Sequence, residues 1–399
     1  MTKPDEAVRK IIDDTVGPRL DDYQTYLAAA GQNPVPVARA DLLYVWDEYR
    51  TEHLDWATLG HPLGHGHPIV MQSVQEHHRY YGHTGPQDQH VHRWPVEYAK
   101  RLSKQFTGQD ETPRRVLFCE GEREAVTVAV RSACAATGQH PSNVVVLADH
   151  PAYDWLGDTN RYPWGFDPAD VRWQTAGALL IDPVSPQAQV MPPDQLRRWA
   201  LAARAASVPV IVDESRSGFG RLGVMWAQQR TGLIAEMTVL GGPVGGSYPL
   251  GAVVAPARFF PADPDVSAQA AHPVSCCAGA AHLTATELGV LDYMQESGKR
   301  LTDGLGELVD QFPHHLAARH GEALLHGLRF HTADAAHRFT LDCRPRGLYV
   351  APPVGDTVVV APALITSTNE MTRGVDLIAA TLMGWDDEAQ PGHSPEERP

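Results

Sequence analysis

Carboxylates and arginines gather where an apolar run stops. The segment VPVIVDESRSGFGRLG carries apolar residues 208–212, then Asp213 and Glu214, then Arg216. Such a run, bounded by polar and glycine residues, predicts a buried strand with carboxylates at its C-terminal end. In open α/β sheets that end is the usual place for chemistry, and a carboxylate near an arginine can do acid–base work. The plainer reading gives Asp213 the task of capping the next loop. Upstream stand Glu122 and Arg123 in FCEGEREAV, and Asp154 in Tyr153-Asp154-Trp155. Glutamate is favoured at any helix start, so Glu122 and Arg123 also read as a solvated helix N-terminus.

These residues need a scaffold. Strand-like and helix-like runs alternate from 115 to 260, which predicts a mostly parallel sheet between helices. Residues 42–68 alternate like strands and end in a turn, and helix-like runs follow at 69–80 and 95–107. Residues 278–312 read as one long helix with a second after Gly298, which puts Lys299 at a helix C-terminus. The division predicted is an N-terminal helical segment over 1–35, a small α+β domain from 36–68 and 300–385, a large domain over 69–299, and a disordered tail over 386–399.

The segment from 208 to 255 resembles the class III aminotransferases, enzymes of pyridoxal phosphate (PLP) fold type I. Their pattern is roughly DEVQTGFGRTG, then PDIxTLAKGLGGGYPLGA. Here the second part reads AEMTVLGGPVGGSYPLGA, from Ala235 to Ala252, and aligns without a gap. A second match is LGHGHP at 63–68, against LGHxHP, which makes His65 and His67 turn residues before metal ligands. The resemblance runs from Asp41 to near Leu382 and implies an α/β fold of type I, with a homodimer and a pocket at the subunit interface. The family lysine that carries PLP as a Schiff base falls on Gly242, which has no side chain and no amine. The five lysines, 3, 10, 100, 104 and 299, fall elsewhere.

The rest of the cofactor site is altered too. The remnant positions are Glu122 and Arg123 on the phosphate turn, Tyr153 on the stacking aromatic, Asp213 on the ring-nitrogen partner, Gly242, and Cys276 on the neighbouring subunit's threonine. Arg216 replaces a glutamine, and the distal arginine falls on Val359. The expectation drawn is a protein without a cofactor, PLP included, that has lost PLP-dependent transamination. Three functions compete. One is a repurposed enzyme doing acid–base chemistry on a small metabolite, with Asp213, Glu214, Arg216 and Asp154 as catalytic residues. One is a non-catalytic partner of an active aminotransferase. The last is a lysine-independent PLP or pyridoxamine phosphate enzyme. Pocket charge separates the first two: catalysis needs it open and unpaired, whereas a partner tolerates it neutralised.

The chain's 399 residues allow two lobes, and its formal charge of −15 argues against nucleic acid and anionic membranes as partners. With no signal-peptide core and an odd set of five cysteines without metal spacing, the expected place is the cytoplasm, with free thiols. A histidine cluster, His77, His78, His83, His90 and His92, is weighed as a zinc site and set aside. No metal is expected, and the expected ligand is a small molecule.

Overall fold

The structure is a computed structural model. It describes residues 35–79, 92–107, 112–148, 153–261 and 265–389, with Lys10, 14–16 and Pro18 before them. The rest of the predicted N-terminal helical segment, and His83 and His90, lie outside the described residues.

The central sheet contains seven strands in the order β4-β10-β9-β8-β7-β5-β6. They are β4 (Arg114–Cys119), β5 (Val144–Leu147), β6 (Asn160–Tyr162), β7 (Ala178–Ile181), β8 (Val210–Asp213), β9 (Met237–Leu240) and β10 (Gly251–Pro256). β10 runs antiparallel to both its neighbours, and the remaining pairs are parallel. β5, β7, β8 and β9 are buried throughout, as continuous Val/Ile/Leu runs require when both faces are covered. The parallel arrangement brings the ends of β4, β5, β7, β8 and β9 to one edge. Every group of the candidate site starts from that edge.

The helices are α1 (Pro68–His78), α2 (Arg93–Gln105), α3 (Glu122–Ala136), α4 (Pro193–Ala205), α5 (Pro273–Ala285), α6 (Leu291–Gln311), α7 (Ala333–Cys343) and α8 (Thr368–Ala389). A four-stranded sheet joins β1 (Val37–Asp41), β2 (Tyr44–Asp47) and β3 (Glu52–Asp55) to β13 (Leu348–Tyr349). A three-stranded one joins β11 (Leu316–Glu322), β12 (Leu325–Phe330) and β14 (Thr357–Val360). Leu54 and Trp56 pack in one core with residues from Met294 to Trp385, so an early and a late part of the chain share a hydrophobic interior.

Two element boundaries differ from expectation. The long helix breaks at Leu288-Gly289, where Gly289 takes φ +105°, rather than at Gly298. Gly298 lies inside α6, where a Cβ would stand 3.3 Å from the Ala323 backbone, so close packing explains this glycine. Lys299 is therefore mid-helix, exposed and paired with Asp303. At the other end, α8 continues to Ala389, past the predicted tail start at Asp386, whose carboxylate engages His314 and His315. The stretch Pro273–Gln311 is long and apolar enough to cross a membrane by composition, but 67% of its most apolar window is buried in this fold.

Gly374 in α8 gives a direct test of the shared core. A Cβ there would stand 1.9 Å from Trp56 Cζ2, and Trp56 is fully buried. Replacing a helical glycine by alanine ordinarily gains about 1 kcal/mol. Overpacking a rigid core costs ~1–3 kcal/mol and here has no empty space to use. Gly374→Ala should therefore lower the urea midpoint, by a net loss of up to about 2 kcal/mol. An unchanged or higher midpoint would show that Trp56 moves aside freely.

Candidate functional site

Asp213 ends β8, with β7 and β9 on either side of its strand. Its Oδ2 accepts the Tyr153 hydroxyl at 2.8 Å. Its Oδ1 accepts the Ser215 amide at 3.0 Å and the Ser215 hydroxyl at 2.5 Å. Burial raises its pKa, with the negative charge of Asp182 adding to the effect against the help of Ser215, Arg216 and Tyr153. Asp182 follows β7, accepts the Val184 amide and forms a close ion pair with Arg216. The charges expected to line an open pocket are thus largely matched within the chain.

Glu214 is also taken up. Its carboxylate accepts the Ser217 hydroxyl and the Ala227 and Gln228 amides, the latter two at 2.9 Å. These bonds tie the carboxylate, expected to be catalytic, to the loop after β8. Asp154, also expected among the catalytic residues, stands apart from Asp213. Tyr153 turns inward and is fully buried, while Asp154, next along a short 3-10 turn, points out and pairs with Arg161 at 3.0 Å. Arg123 is exposed and lies over the Trp155 ring, 5.3 Å from its centre. Cys276 is fully buried in this chain's own core with Tyr98 and Leu102.

Glu122 opens α3 and approaches Arg216, at 4.0 Å. Its pKa is raised to about 7, first by burial and then by the charges of Asp213 and Asp182, with Arg216 opposing. Asp182 was not legible from sequence, because it follows a different strand from Asp213 and meets Arg216 only through sheet order.

Gly241 and Gly242 follow β9. A Cβ on Gly241 would collide with Glu122 Cβ at 2.6 Å and Ser215 Oγ at 2.7 Å, so this glycine lets three segments converge. Gly242 has φ +48°, and a Cβ there would meet nothing nearer than Gly60 and Ser215, both at 3.9 Å. A side chain at 242 has room and would start beside Asp213's own loop. The described lysines, 10, 100, 104 and 299, are all exposed, so none of them enters the site.

Glu122 gives a pH test. Its folded pKa near 7 exceeds the ordinary 4.5, so the folded state binds the extra proton and stability falls as pH rises from about 4.5 through 7. Glu122→Gln should raise Tm at pH 8, and the gain should shrink towards zero at pH 5. A difference that does not change with pH would rule out this electrostatic strain.

Residues 170–382 match the sequence profile of the family described as aminotransferase class-III, just over half of the chain. The acetylornithine aminotransferase of Streptomyces coelicolor is 28% identical over 364 residues, covering 84% of this chain and 87% of that protein. Among solved structures, the acetylornithine aminotransferase of Elizabethkingia anophelis aligns with TM-score 0.82 and 19% identity, over 92% of this chain and 99% of that one. An amine transaminase from an uncultivated Pseudomonas species, solved with PLP bound, aligns with TM-score 0.78 and 20% identity, over 90% and 97%. These neighbours give the fold as the PLP type I architecture. They also overturn the expectation of a chain without a cofactor, because the family and its relatives point to PLP. From its seven-stranded frame, its site at the strand ends and its matched residues, the chain belongs to the class III aminotransferase family.

Proposed function

We propose that this protein is a non-catalytic member of its family, one that binds PLP or pyridoxamine phosphate reversibly and does not transaminate through a lysine. The observation that supports this best is the self-pairing of the site: Asp213 with Tyr153 and Ser215, and Arg216 with Asp182. Charged groups held this way fix a shape but are poorly placed to move protons.

The fit to PLP is partial and tells how the group would be held. The α3 N-terminus is preceded by Gly121, which makes no side-chain cap, so its first amides suit an anion. Glu122 beside it is half neutral near pH 7 and repels an anion less than an ordinary carboxylate would. Asp213 stands at the end of β8, where it can accept from a ring nitrogen if the Tyr153 hydroxyl gives way. Gly242 supplies no amine, so the tie through that position is non-covalent. When bound, PLP supplies a reactive aldehyde and an electron-withdrawing ring. This chain's residues bind and orient it. A second reading keeps acid–base catalysis but moves it to Glu122, whose side chain is 33% exposed and titrates near neutrality.

The test is borohydride reduction of PLP-loaded protein, followed by peptide mass analysis. Wild type should show cofactor that leaves on dialysis and no lysine adduct. In Gly242→Lys, the room around position 242 should allow an adduct on the introduced lysine, at a strain cost of ~1 kcal/mol for the positive φ. That variant should still turn over no amino donor, because the Tyr153–Asp213 and Arg216–Asp182 pairs persist. A wild-type lysine adduct with turnover of an amino donor would defeat the proposal.

A further inference from the structure

One cluster outside these pairs is built like a metal site. Asp55 ends β3 and is held by its parallel pairing with Tyr349 of β13. It is only 3% exposed. Its Oδ1 accepts the Ala57 amide at 2.7 Å, which aims Oδ2 at two histidines. His65 Nε2 lies 2.7 Å from Oδ2 and His61 Nε2 lies 3.7 Å from it. The two imidazole rings are 4.6 Å apart, and the three ligand atoms all lie within 4.8 Å of one another. At 3.7 Å the His61 contact is too long for a hydrogen bond, and His61 Nε2 is a buried nitrogen without a hydrogen-bond partner.

The backbone holds both histidines in place. His65 exchanges two hydrogen bonds with Leu42, at 2.7 and 2.8 Å. The His61 amide donates to Thr58 and its carbonyl accepts from Gly64. Three-ligand preorganisation of this kind is what a metal centre needs and what an ordinary turn does not.

We propose that Asp55, His61 and His65 form a site for a divalent transition metal of the Zn2+ or Co2+ class. A tetrahedral ion with bonds of about 2.0–2.1 Å spaces its ligand atoms by ~3.4 Å. The His61–Asp55 distance is already close to that, and the His65–Asp55 hydrogen bond opens by ~0.7 Å to reach it. Two imidazoles select such metals over Mg2+ and Ca2+, which take oxygen ligands. His61 lines a cavity of about 230 Å³ together with His67, Met71, Tyr248 and His282. Three protein ligands with a fourth position open to a cavity is the pattern of a metal that meets a small ligand. His67 Nδ1 and His282 Nε2 are buried without partners near this cavity and can bond such a ligand.

The test uses the full chain, stripped with chelator and titrated with Co2+, followed by the visible d–d bands and by competition with Zn2+. Wild type should bind one Co2+ per chain in a low-symmetry tetrahedral spectrum that Zn2+ abolishes. His61→Gln and His65→Gln, checked for folding by circular dichroism, should each weaken binding by at least ~10-fold. A second group, His314, His315 and Asp386, lies at the surface and serves as control. Its double variant, His314→Gln with His315→Gln, should leave the affinity unchanged. Absence of a Co2+ spectrum, binding that survives His61→Gln, or binding lost in the surface variant would each overturn the site.

Discussion

The whole arrangement depends on one buried cation. Arg221 is fully buried, and its guanidinium donates to the carbonyl oxygens of Thr58 and Pro362 and, at 3.0 Å, to the Thr58 hydroxyl. The partners come from the segment after β3 and the segment after β14, and Arg221 itself comes from the loop after β8. The desolvation cost of a buried charge is large, so the three segments hold their carbonyls in place only as a set. Burial lowers the Arg221 pKa to about 9, which leaves it charged at neutral pH. It pins residues 57–62 against the edge of the central sheet, which brings Gly60 beside Gly242 and His61 beside Asp55.

Around this tie the site divides into two electrostatic neighbourhoods. On one side, carboxylates from the ends of two strands and the start of a helix crowd together, and the single guanidinium of Arg216 goes to Asp182 more closely than to Glu122. The proton held by Glu122 reflects that shortage of positive charge. On the other side, imidazoles predominate, with Asp55 as their carboxylate. Burial lowers the pKa of His282 to about 4 and also lowers that of His67, so both rings favour the neutral form.

Much of the frame was legible in the sequence because it rests on period and run length. The apolar runs at 144–147, 178–181 and 208–212 became strands β5, β7 and β8, and the glycine-rich turn after β9 fell where the motif placed it. What was not legible depended on which neighbour a residue meets. Tyr153 and Asp154 are adjacent in sequence but face opposite ways. Glu214 looks catalytic beside Asp213 until the amides of Ala227 and Gln228 are found on it. His61 passed unnoticed beside the motif histidines because its partner, Asp55, is brought to it only by the turn between them. The helix break at Gly289 was misplaced to Gly298 because either glycine could end a helix, and only packing against Ala323 shows which one is internal.

Position 242 lies on a tight turn with open space where a side chain would begin, whereas Gly241 next to it is enclosed on two sides. Folding therefore constrains the first position weakly and the second strongly. Sequence drift at 242 can change what the protein is able to do while leaving its stability and its resemblance to relatives almost untouched. Overall similarity records the survival of the scaffold, and the fate of its chemistry has to be read at the single residues that the scaffold does not need.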